Sequence, residues 1–397
     1  MTKNCKMSIA VVTSLIIFGG CNATQMDKDT HKAKMEKEIA LGQKLFFDTI
    51  LSKNKTQNCA TCHNPEHAFS DDRDNGVAGA GSLGDDFKSI GDRNAPTATY
   101  AMFSPKFHYD AKKGEYIGGQ FYDGREHTLK GQAGGPPTNP VEMGMPSKEF
   151  MAKRLEKDEA YNHEFKSLYG DDVFSDYDKT YEMMTQAIAA FETTKEFAPF
   201  DSKYDRFLKG EYDLTVLEDL GRTLFFSNNN TNCSSCHMLK TEDAPKETFT
   251  NYQYHNIGVP QNKTLMAKNV VDPKTFIDHG LMQNPAVKDL ANAKEYDGKI
   301  KVPTLRNIAV TGPYMHNGVF ADLETVVRFY DKYVNKEQKI NPETNKPWAQ
   351  QEVAVGKEDM KLLTNAKALS ERKIKALVAF MNTLTDKRYE HLIKESK

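Results

Sequence analysis

The sequence predicts a mainly α-helical protein of two similar units in tandem, joined and covered by long irregular loops. Three observations predict it. The pattern Leu-Gly-x-x-Leu-Phe-Phe occurs at residues 41–47 and again at 220–226. A Cys-x-x-Cys-His run follows each copy, first Cys59-Ala60-Thr61-Cys62-His63 and then Cys233-Ser234-Ser235-Cys236-His237. Strand-like alternation is scarce, while residues 64–135 hold 12 of the 25 glycines, which marks that stretch as loop. A chain of 397 residues has material for two cores.

The elements follow in chain order. Residues 1–20 read as an export signal: Lys3 and Lys6 form a basic start, Met7 to Phe18 is mostly apolar, and Gly19 and Gly20 precede Cys21. Ending on Cys21 predicts a lipidated cysteine, with the polar stretch 21–38 as its tether. The first unit covers 39–196. Its Leu41–Phe47 run puts leucine and phenylalanine on one helical face, and further helices are expected over Lys148–Lys157 and Lys179–Thr194. Residues 197–209, with Pro199 and several charges, read as the junction. The second unit covers 210–390, with helices expected over Leu323–Val334 and, after Ser370 as N-cap, Glu371–Leu384; 391–397 is a tail.

The cysteines carry the chemistry. Of six, Cys5 and Cys21 belong to the signal region, and the other four sit in the two Cys-x-x-Cys-His runs. That run is the attachment pattern of c-type haem: two thiols form thioethers to the vinyl groups and the adjacent histidine reaches the iron. A redox pair or a zinc half-site does not require histidine at the fifth position both times. Two haem c groups are therefore expected, on Cys59, Cys62 and His63 and on Cys233, Cys236 and His237, in two cytochrome c-like units. Haem attachment and an export signal agree on a periplasmic location or the outer face of a membrane. The 53 basic and 55 acidic side chains give a net charge of −2, which points away from nucleic acid. Mean hydropathy is −0.65, and past residue 20 no apolar run is long enough to span a bilayer, so an integral transporter is excluded and membrane contact is by the lipid anchor alone.

From Leu41 to Tyr389 the chain resembles the bacterial di-haem cytochrome c peroxidase family, which includes the MauG proteins of methylamine utilisation. The resemblance rests on Leu45-Phe46-Phe47-Asp48, Arg93-Asn94-Ala95-Pro96-Thr97, Phe121-Tyr122-Asp123-Gly124-Arg125 and Asn139-Pro140-Val141-Glu142-Met143-Gly144. In the second unit it rests on Pro303-Thr304-Leu305-Arg306-Asn307 and on the run from Thr311 to Gly318. The resemblance implies that peroxide reacts at the His63 haem, while the His237 haem receives electrons or stores an oxidising equivalent.

The remaining site residues are carried by the resemblance. Glu142 matches the family's distal glutamate, a general acid–base that moves a proton between the peroxide oxygens. Gln132 matches a nearby residue that orients peroxide. Family peroxidases carry a blocking histidine in a loop before the Arg-Asn-x-Pro-Thr segment; the matching loop, Ser82 to Gly91, has none, and Asp85 takes its place. An open first iron follows, with His67 and His108 as the remaining candidates for a sixth ligand. Tyr330 matches the MauG-type tyrosine ligand of the second haem, with Met315 as the competing ligand; Leu323, Val326, Val327, Tyr330 and Val334 equally form a helical stripe in which Tyr330 is a core aromatic. Tyr122 stands where the family has the tryptophan between the haems. Asn94, Thr311 and Pro313 match the oxygen donors of an interface calcium.

The expected activity is a di-haem peroxidase that reduces hydrogen peroxide with electrons from a small cytochrome c or cupredoxin. The alternatives are a MauG-like oxidation of residues on a protein substrate and a non-catalytic electron-transfer cytochrome. A homodimer is one option for the assembly. His127, His163, His255, His279 and His391 carry no motif and are expected at surface or packing positions.

Overall fold

Each Leu-Gly-x-x-Leu-Phe-Phe run lies in a helix that crosses another helix at its glycine. The chain, a computed structural model, is described over residues 20–242, 244–269 and 276–394. In the first part it forms α1 (Gly20–Phe47), α2 (Cys59–Cys62), α3 (Leu129–Ala133), α4 (Lys148–Lys157), α5 (Glu159–Tyr169) and α6 (Tyr177–Glu192). It continues with α7 (Lys203–Leu208), α8 (Val216–Phe225), α9 (Lys263–Lys268), α10 (Leu323–Asp331), α11 (Lys357–Thr364) and α12 (Glu371–Asn382). The only strands among the described residues are three short antiparallel pairs, β1 (His108–Asp110) with β2 (Glu115–Ile117), β3 (Tyr254–His255) with β4 (Ile300–Lys301), and β5 (Ile340–Asn341) with β6 (Lys346–Pro347). Among the described residues no helix is long and apolar enough to cross a membrane. The expected export signal lies outside the described residues but for its last residue.

Two principal cores result. In the first, Leu41, Leu45 and Phe46 of α1 are buried against Met184, Ile188 and Phe191 of α6. A Cβ on Gly42 would overlap the carbonyl oxygen of Ala187, so the helices touch backbone to backbone. In the second, Leu224 and Phe225 of α8 meet Leu377 and Phe380 of α12, with the Phe225 and Phe380 rings 5.2 Å apart. Here a Cβ on Gly221 would overlap the carbonyl oxygen of Ala376. The pattern therefore keeps its glycine for close approach and its large residues for the core. Gly221→Ala is expected to lower stability by about 3 kcal/mol, because backbone cannot move aside as a side-chain tip can. Gly356→Ala, where the added carbon meets nothing within 4 Å, should stay within about 0.5 kcal/mol. Thermal unfolding of the haem-loaded variants checks both.

Local chemistry sets the helix ends. The Ser147 hydroxyl accepts from the Phe150 amide at 3.1 Å to open α4, and Thr215 and Glu218 cap α8 reciprocally. Lys148–Lys157 forms over the expected bounds, and the other three expected helices form as α6, α10 and α12 with ends shifted by up to three residues. Two segments differ from expectation. Residues 21–38 are helical from the start of α1; they contain no Gly or Pro, and Lys32 and Glu36 pair one turn apart at 3.9 Å. Residues 197–209 are structured: Phe197 is buried in the first core and Tyr204 of α7 in the second.

A buried polar knot ties the cores together. The Tyr100 hydroxyl donates to Asp386 Oδ1 at 2.6 Å, and Asn307 Nδ2 donates to Asp386 Oδ2 at 2.8 Å and to Thr99 Oγ1 at 3.1 Å. Beside it Arg306, fully buried, pairs with Asp205 at 2.6 Å and donates through Nε to the Glu247 carbonyl at 2.7 Å.

Candidate functional site

The two Cys-x-x-Cys-His runs adopt the same local arrangement. In the first, α2 and His63 form one turn closed by the His63 amide on the Cys59 carbonyl at 2.9 Å; in the second, the His237 amide bonds the Cys233 carbonyl at the same distance. His63 Nδ1 lies 3.1 Å from the Phe69 carbonyl and His237 Nδ1 lies 3.2 Å from the Phe249 carbonyl. Donation from Nδ1 leaves each Nε2 lone pair free for a metal. Both acceptor residues are left-handed, Phe69 with φ 49° and Phe249 with φ 53°, which is strain for a bulky side chain. A threonine hydroxyl braces each bend: Thr97 donates to the Ala68 carbonyl at 2.5 Å and Thr304 to the Thr248 carbonyl at 2.7 Å. These threonines follow Pro96 and Pro303, so the two Pro-Thr segments are equivalents within the internal repeat, a correspondence that sequence reading missed; a search for the dipeptide after each haem motif could have found it.

Around the first run, Glu142 sits on the loop after α3. Its carboxyl is half-buried, near enough to Cys62 to act on it electrostatically. Burial raises its pKa, with Arg125 and Asn139 pulling the other way, a balance suited to proton exchange. The Arg125 guanidinium lies 3.6 Å over the Phe121 ring and pairs with Asp123 at 2.9 Å. Gln132 is half-buried on α3. Asp85 is 2 % exposed and faces away from any ligand role. Its carboxylate accepts from the Asn54 amide at 2.7 Å and from the Thr56 hydroxyl at 2.6 Å, and its amide donates to the Glu142 carbonyl at 2.7 Å. Burial opposes its ionisation, but hydrogen bonds from Thr56, Ser52 and Asn54 more than offset it, so its pKa lies below the usual carboxylate range. His108 is exposed on β1, with Nδ1 on the Lys106 carbonyl at 2.8 Å. His67 is half-buried on a short turn.

The second run opens on a cavity of about 370 Å³, within the range of cofactor pockets. Cys233, Cys236 and His237 line it, and so do Tyr330 and Met315. The expected helical stripe on α10 is the cavity wall: Leu323, Val326, Val327, Tyr330 and Val334 all face it. Tyr330 is 37 % accessible, but that surface faces the cavity, and burial pushes its phenol pKa up. The same cavity reaches Tyr122, Asn94, Thr311 and Pro313. Asn94 Nδ2 is 2.5 Å from the Pro313 carbonyl, and the Asn94 amide donates to the His316 carbonyl at 2.7 Å. Both oxygens could face a calcium ion only if the Asn94 amide turned over and the two groups moved apart, since calcium stands about 2.3–2.6 Å from each oxygen it binds.

Several residues at this interface were not singled out from sequence. Arg93 holds Asp278 through Nε and Nη2, both at 2.7 Å, and Asp123 at 2.7 Å. His316 lies 3.7 Å from Asp278 and its ring centroid is 6.4 Å from that of Tyr122; burial lowers its pKa to about 4, so the ring is neutral. The Lys301 amide donates to the Tyr122 carbonyl at 2.8 Å, and its ammonium, buried on the Gly119 carbonyl, has a pKa lowered to about 7. His255, expected at a surface or packing position, is buried, lines the cavity, and bonds Asp359 through Nδ1 at 2.7 Å.

Comparison with known proteins places these features. The family model for di-haem cytochrome c peroxidases matches residues 36–213. The chain is 49 % identical over 361 residues to the methylamine utilization protein MauG of Paracoccus denitrificans, covering 90 % of this chain and 91 % of that protein. It is 31 % identical to the cytochrome c551 peroxidase of Nitrosomonas europaea, covering 72 % of this chain and 70 % of that protein. Among solved structures it is similar to the diheme peroxidase BthA of Burkholderia thailandensis, with a TM-score of 0.78 and 28 % identity over 90 % of this chain and 88 % of that one.

Proposed function

This chain belongs to the di-haem cytochrome c peroxidase family and is a peroxide-using oxidoreductase; from that premise we propose that it consumes hydrogen peroxide at the His63 site without prior reduction and draws electrons through the His237 site. The observation that carries the proposal is Asp85: the residue in the blocking position is committed to Asn54 and Thr56, so its side chain is not left to close the site.

The donor sets fit haem c, with paired thiols, a histidine whose Nε2 is free at each run, and a cavity at the second. When bound, two haems supply peroxide reduction at one centre and electron transfer at the other. The chain supplies the rest. Glu142 takes a proton from one peroxide oxygen and returns it to the other, and Gln132 orients the molecule. Tyr122 stands between the sites, Tyr330 in preference to Met315 would bind the second haem's iron together with His237, and Asn94, Thr311 and Pro313 would hold a calcium ion at the interface. Export by residues 1–20, with Cys21 lipidated, puts the enzyme outside the cytoplasm, where a small cytochrome or cupredoxin is the electron donor.

A second reading is oxidation of a partner protein. The tyrosine on the cavity wall and the similarity to a methylamine utilization protein favour it. Rapid mixing of the fully ferric protein with equimolar hydrogen peroxide tests the main proposal. A Soret change within milliseconds, without reductant, is expected; inertness until one haem is reduced would overturn it. Turnover with a reduced cytochrome then separates the two readings.

A further inference from the structure

The duplication shows one contrast between the two haem sites that the chemistry above leaves unused. Gly42 meets Ala187 as Gly221 meets Ala376, so position 192 at the end of α6 corresponds to position 381 at the end of α12. At the second site that residue is Met381, which lines the haem cavity. At the first it is Glu192. Its side chain is 7 % exposed, makes no hydrogen bond or ion pair, and lies close enough to Cys59 to act on that thiol. An unpartnered buried carboxyl is costly, and methionine shows that the fold does not need one there.

We propose that Glu192 is the proton-holding group of the first site, taking a proton from solvent when that haem gains an electron and releasing it when the haem is oxidised. The inference rests on His63 carrying a haem. Its balance is simple: one electron arrives through the second site, one proton arrives from water, and net charge in the buried region does not change. Peroxide reduction to two waters consumes two electrons and two protons, so charge compensation is needed on each transfer. By reciprocity, a carboxylate that disfavours the added electron must itself bind a proton more tightly once the electron is present.

None of the charged groups on the elements packed against α6 is turned to Glu192, and Glu142, the acid–base of the peroxide step, lies toward Cys62 rather than Cys59. On α1, Lys44 is turned to Glu164 at 2.8 Å and Glu38 accepts from Tyr169 and Gln186; on α3, Lys130 pairs with Glu182 at 3.1 Å; on α4, Arg154 donates to the carbonyls of Ile50 and Ser52. On α2 only Cys59 is near, and the haem thioether removes its proton. Burial alone then raises the Glu192 pKa to about 8. The folded protein favours the protonated acid, so this group's contribution to stability is present at low pH and is lost as pH rises through that value.

The test is spectroelectrochemical titration of the two-haem protein across about one pH unit either side of 8, in wild type and Glu192→Gln. In wild type the first haem's potential should fall as pH rises. In the Gln variant that slope should be lost over this window, while the second haem, whose cavity Lys301 lines, should show the same pH dependence in both proteins. A slope that survives in Glu192→Gln overturns the proposal. Should that variant fail to fold, Glu192→Met, the second site's own residue, serves in its place. A wild type with a single haem per chain would refute the underlying reading instead.

Discussion

Glu142→Gln should slow the reaction of the ferric protein with hydrogen peroxide by a factor of about 10²–10⁴, the usual worth of a positioned general acid–base. The amide keeps the size and polarity of the carboxyl but cannot carry a proton from one peroxide oxygen to the other. Two details make the substitution clean. Glu142 holds the neighbouring Asp85 loop through its backbone carbonyl, which the mutation leaves in place. Removing a half-buried carboxyl that burial disfavours costs little stability. Haem content and the resting spectrum should therefore match wild type while the stopped-flow rate collapses. A rate within a factor of about three of wild type would remove Glu142 from the proton path.

Arg306→Ala is expected to cost about 3–5 kcal/mol, the range for breaking a buried ion pair by deleting one partner. Asp205 would be left buried, its pKa no longer lowered by the guanidinium. The guanidinium also lies 4.9 Å from the Phe200 ring and 5.4 Å from those of Tyr100 and Phe249, so the loss reaches the second core and the small cluster of Tyr100 and Phe200. Phe249 carries the carbonyl that orients His237, and the second haem should be the more disturbed. Denaturant unfolding measures the loss. Combining Arg306→Met with Asp205→Asn should recover most of it, because neither member of that pair is then left as an unpaired charge.

What could be read from the sequence was whatever chemistry is local. The Cys-x-x-Cys-His runs, Leu41–Phe47 and the Lys148–Lys157 helix are each specified within a few residues by spacing and caps. Glu142, Tyr122 and Tyr330 were reached through ordered motifs. The parts that escaped join residues far apart through backbone atoms, which leave no mark on residue type. The Thr97 and Thr304 hydroxyls brace carbonyls of Ala68 and Thr248, and any residue offers a carbonyl. Arg93 meets Asp278 side chain to side chain, but across 185 residues, a separation that no local pattern marks, and Lys301 is paired with Tyr122 by an amide. The helical form of residues 21–38 was not legible for another reason: a polar, unpatterned stretch of good helix formers shows no periodicity of its own and is helical as the continuation of the Leu41–Phe47 helix.

The glycine crossings also bear on how the protein is made. In each core the helices in closest contact, α1 with α6 and α8 with α12, are the first and the last of their stretch of chain, and the cysteines lie between them. Contacts between such distant segments form late, since the long intervening loop must first be closed. Each stretch therefore shuts like a clasp. While it is open the thiols are freely within reach of whatever couples them to porphyrin; once it is shut they stand half-buried. Attachment of the cofactor is easiest before the final crossing, and a variant that speeds the crossing should emerge with less of its cysteine modified.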